Sequence, residues 1–104
     1  MQNALTLYTG DDLRALLIPS GASKDRRSRL GKFADWLTMT RRTWNTPDLA
    51  AYRDALLGGD LGYTYTPGSV NAHLATVRRR YRGLLKEERT RATLYARAGE
   101  LLRD

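Results

Sequence analysis

The chain has 104 residues, no cysteine and a single histidine, which gives room for one small domain and excludes disulfides, thiolate metal sites and cysteine nucleophiles. Hydrophobic residues make up 41% of it, enough for a core, while 18 lysines and arginines against 11 carboxylates leave a net charge of +7. No run reaches the roughly 18–20 apolar residues of a membrane span and no apolar signal region opens the chain, so a cytoplasmic protein with no membrane partner is expected.

Residues 1–19 hold one short helical signal, Asp11 through Ile18, with acidic residues at its positive end. Leu5, Leu7 and Tyr8 alternate too briefly to make a strand, and Pro19-Ser20-Gly21-Ala22 breaks the chain, so this stretch reads as an N-terminal arm or a short extra helix. The first strong helix runs from about Ser23 to about Thr40. Leu30, Phe33, Ala34 and Leu37 supply its i, i+3, i+4, i+7 stripe, Trp36 sits at the stripe's edge, and Lys24, Arg27, Ser28 and Lys32 project from other sides. Arg41 and Arg42 at its end suit the negative pole of the helix dipole.

Thr46-Pro47-Asp48 has the cap-plus-proline form of a helix start. Leu49, Tyr52, Ala55 and Leu56 form the inner face that follows, and Gly58-Gly59 ends it. Gly58 to Tyr65 is a loop, whose Tyr63 and Tyr65 are expected to cover a core edge rather than stack on bases. Thr66 then caps a third helix with Pro67 at its first position, running to about Glu88. Val70, Leu74, Val77, Tyr81, Leu84 and Leu85 make its buried face, and a helical wheel sets Ser69, Ala72, Thr76, Arg79, Arg80 and Gly83 on the roughly opposite side. Arg91 to Leu102 gives a last helix, with Leu94, Ala98, Leu101 and Leu102 inward.

Charge follows these elements. Residues 24–42 and residues 69–91 each hold seven basic and two acidic side chains. Either run alone reads as a solvated helix face; two matched runs on helices that pack together read as a nucleic-acid footprint. Catalytic patterns are missing. His73 has no Ser, Cys or paired acid placed by local spacing, Glu87 and Glu88 point about 100° apart on a helix, and no glycine loop has phosphate-cradling spacing. Neither an enzyme activity nor a cofactor or metal is expected of this chain.

Three segments in order resemble the core-binding domain of the tyrosine recombinases, the phage-integrase family. Ser23 through Leu37 looks like that domain's opening helix with its terminal aromatic-Leu pair. Thr46 through Leu56 is similar to its second helix, and Ser69 through Tyr81 to its long helix of pattern S/T-V/I-x-x-x-L-x-x-L/V-R-x-x-Y/F. Residues 20–86 carry the likeness. The resemblance implies an all-α, small four-helix bundle of SAM-like type over residues 20–104, facing duplex DNA opposite a catalytic domain of the same polypeptide. That domain's two arginines, lysine, His-x-x-Arg box and nucleophilic tyrosine are absent from this sequence. The likeness also implies further recombinase protomers on the DNA. It places Lys24, Arg27, Ser28, Ser69, Ala72, Thr76 and Arg79 against the DNA, and the helical wheel adds Arg80. A stand-alone helix-turn-helix regulator and a protein-interaction bundle whose charge serves solubility are the alternative readings.

Overall fold

A computed structural model of the protein describes residues 10–45 and 47–87. These form four helices and, among the described residues, no strand: α1 (Gly10–Leu17), α2 (Lys24–Met39), α3 (Leu49–Gly58) and α4 (Pro67–Leu85). The expected all-α bundle of four helices is present, but its fourth member is α1. The helix expected over residues 91–102 lies outside the described residues.

Side chains at the helix starts satisfy amide groups that have no partner within the helix. Ser23 Oγ accepts a bond from the Arg26 amide at 3.2 Å, and Thr66 Oγ1 accepts one from the Ser69 amide at 3.2 Å, with Pro67 in the first turn. For α3 the cap is Asp48, whose Oδ1 accepts from the Ala51 amide at 3.0 Å. The expected start at Thr46-Pro47 is therefore corrected by two residues, because Asp48 is itself a strong cap and lies directly before the apolar face that opens at Leu49.

The helix ends differ in kind. Gly59 closes α3 in the left-handed region at φ 80°, where a glycine has no Cβ penalty. After α2 the same left-handed position falls to Arg41, at φ 56°. There the Arg41 amide donates to the Thr38 carbonyl at 3.2 Å and the Arg42 amide to the Leu37 carbonyl at 2.9 Å, the double bond of a Schellman ending. Arg42 turns back over the Trp36 ring, 4.8 Å from its centroid, and lies 3.9 Å from Asp48. This pair thus serves the turn between α2 and α3 as well as the helix pole.

α2 packs against α1 and α4, and α4 also packs against α3. Phe33, Trp36, Tyr52 and Tyr81 meet at the centre, with Phe33 and Tyr52 in edge-to-face contact at 4.9 Å. The buried face expected of α4 is found, with Leu85 only partly buried. Trp36, expected at an edge, is buried, and so is Trp44, which belongs to no helical stripe. The Tyr81 hydroxyl donates to the Trp44 carbonyl, and burial pushes that hydroxyl's pKa well above its ordinary value. Leu13 and Leu17 of α1 are fully buried in the same core, so of the two readings for residues 1–19 the short helix holds over residues 10–17.

Candidate functional site

Contacts along the α2–α4 seam run in opposite senses on the two helices. Arg26 lies within electrostatic reach of Arg80, the Arg29 guanidinium donates to Thr76 Oγ1 at 3.4 Å, and Lys32 lies near His73. Arg26, Arg29 and Lys32 are spaced three residues apart and so share one side of α2. Opposite them on α4 stand His73, Thr76 and Arg80, at the i, i+3, i+7 spacing of one helix side. α4 carries four arginines and no acidic residue over its whole length.

The seam is electrostatically crowded. Arg80 has 13% of its side chain exposed, donates to the Leu16 carbonyl at 2.8 Å and lies 3.9 Å from Glu87. Burial is the main cause lowering its pKa; Glu87 works against that and the like charge of Arg26 with it. Arg26 and Arg80 each keep a buried Nε without a hydrogen-bond partner. His73 is buried and its pKa is lowered, first by burial and then by Arg29 and Lys32, so the ring favours its neutral form. Its Nδ1 has no hydrogen-bond partner either.

The eight residues predicted for DNA contact divide into three groups. Lys24, Arg27, Ser28 and Arg79 are exposed. Ser69 and Ala72 are half-buried beside the seam. Thr76 and Arg80 correct the wheel, which set them on an open face. Thr76 is buried, with its hydroxyl donating to the Ala72 carbonyl at 2.9 Å while accepting from Arg29, and Arg80 is held by α1. A wheel finds the side opposite one core face, but α4 has helices packed on more than one side, and the α2 seam occupies part of the side the wheel left open. Arg27 falls about 160° from Arg29 on α2, so it and the seam's basic row do not share one line of approach.

Arg26 and Arg29 are the seam residues that sequence reasoning missed. The three-residue spacing of Arg26, Arg29 and Lys32 was the available signal, matched by His73, Thr76 and Arg80 across the seam. Tyr65 covers a core edge as expected, with Lys32 Nζ 5.7 Å from its ring centroid. Tyr63 does not: it is 65% exposed. Among the described residues no cluster of acids and histidines could hold a metal ion, and no helix is long and apolar enough to cross a membrane. No family model matches the chain, nor does any curated protein or solved structure.

Proposed function

We propose that the chain is a DNA-binding domain of a site-specific tyrosine recombinase, holding duplex DNA while a catalytic domain of the same polypeptide acts from the opposite side. It contributes no catalytic group of its own, and it works alongside further protomers on the DNA. The observation that carries this reading is the packing of α2 on α4, which brings Arg26, Arg29 and Lys32 of one basic segment alongside Arg80 and His73 of the other. Lys24, Arg27 and Arg79 add exposed cations outside the ion pairs found among the described residues, Arg79 next to Arg80 on α4 and Arg27 on the side of α2 turned away from the seam. Guanidinium and ammonium groups in such an array suit phosphates, which supply most of the affinity of DNA-binding proteins. The eight residues from Gly59 to Thr66 that join α3 to α4 exceed the roughly 3–4-residue turn of a helix-turn-helix, which favours the recombinase-type bundle over a regulator of that class.

The test is a salt titration. Binding to a short duplex should weaken linearly in log affinity against log salt, with a slope of roughly −0.9 per phosphate neutralised. Fluorescence anisotropy measures it directly. A flat salt response, or no binding at low ionic strength, refutes the reading.

A further inference from the structure

The loop between α3 and α4 is braced rather than loose. The Gly62 amide donates to the Gly59 carbonyl at 2.9 Å and the Tyr65 amide to the Leu56 carbonyl at 3.2 Å. Leu61 and Tyr65 pack on the core, and Tyr63, between them, leaves 65% of its surface in solvent. It stands edge-to-face with Tyr65 at 4.8 Å, and Tyr65 stands edge-to-face with His73 at 5.0 Å. Three rings therefore run from the α2–α4 seam out to the surface, with Lys32 over the middle one and Arg29 acting on His73.

An exposed tyrosine on a fixed loop loses little freedom when it is covered, because its ring turns about only two side-chain bonds. What it offers a ligand is a flat face, and the cations beside it set the sign of that ligand's charge. Aromatic faces next to a basic track are how proteins hold unpaired nucleotides: phosphates follow the cations and bases stack on the rings.

We propose that Tyr63 is a stacking platform for an unpaired base of a DNA strand whose phosphates run along Lys32 and Arg29. The proposal rests on the DNA-binding reading and adds to it a distinct substrate feature, an extrahelical or single-stranded nucleotide. It is tested with the full chain, at one low salt concentration, on three DNAs: a perfect duplex, the same duplex with one bulged 2-aminopurine, and a single strand carrying 2-aminopurine. Tyr63→Ala should weaken binding to the bulged and single-stranded DNAs by about 5- to 150-fold, as expected for the loss of one stacked base. It should leave duplex affinity within about twofold and abolish the quenching of 2-aminopurine, while Tyr63→Phe keeps both affinity and quenching.

Unchanged affinity and unchanged quenching in Tyr63→Ala would overturn the platform while leaving duplex binding as proposed. An equal loss on all three DNAs would also overturn it, since Tyr63 would then serve backbone contact in general. Failure of the wild-type chain to bind any of the three would sink the DNA reading together with the platform.

Discussion

Arg80→Ala would leave the part-buried Leu16 carbonyl at the end of α1 without its donor; a fully buried acceptor that loses its partner costs about 1–3 kcal/mol, and this one should cost about the lower end of that range. Arg79→Ala removes an exposed side chain and should change stability by no more than about 0.5 kcal/mol. DNA binding should reverse that order, falling with Arg79→Ala through the loss of a phosphate partner. Urea melts and anisotropy on both variants measure the two effects. An Arg79 variant that unfolds and binds DNA normally would show that the faces of α4 are wrongly assigned. Two arginines adjacent in sequence thus separate into a structural and a surface group, and their 100° offset on the helix is the whole cause.

At the scale of elements, the turn after α2 is the least favourable in backbone terms. A left-handed residue other than glycine costs roughly 1–2 kcal/mol, whereas glycine's greater unfolded freedom costs roughly 0.5–1 kcal/mol. Arg41→Gly at φ 56° should therefore raise stability by about 0.5–1 kcal/mol, read as a higher urea midpoint with an unchanged slope. A fall in the midpoint would mean that the Arg41 side chain supports the fold. Legibility in the sequence follows the same logic of local chemistry. Thr66-Pro67, Ser23 and Gly58-Gly59 mark their helix ends unambiguously, and the stripe from Val70 to Leu84 is periodic, so both were readable. Arg41 carries no sign of its left-handed turn. Trp44 lies between helices, where no periodicity points inward, and the partner of its backbone carbonyl is Tyr81, 37 residues away. The seam was hidden for a different reason: the burial of Thr76 and Arg80 is decided by which helices flank α4, and pairing of that kind is a property of the tertiary arrangement.

Across the whole molecule, His73 couples stability to pH. Its ring takes up a proton near 6.5 when the chain is unfolded, whereas in the folded protein burial and the cations Arg29 and Lys32 oppose that proton. Stability is therefore full above that pH and declines as the pH drops below it toward the lowered folded value. Chemical denaturation at pH 7.5 and pH 5.5 should show the decline, and His73→Gln should remove most of it, since carboxylates titrate chiefly near pH 4. A wild-type protein equally stable at both values would refute the coupling.

The short helix α1 also bears on where this domain can be divided. Leu13 and Leu17 are fully buried, and burying a leucine side chain is worth about 1.5–3 kcal/mol before the entropy of ordering the helix is set against it, so α1 is part of the core and no appendage to it. Arg80 and Asp35, on two different helices, both reach back to this segment, the one to the Leu16 carbonyl and the other to Arg14. A boundary drawn after residue 19 would cut through one continuous core. Removal of residues 1–19 is therefore expected to uncover apolar surface that Leu13 and Leu17 now cover and to free Arg80 and Asp35 from their partners on α1.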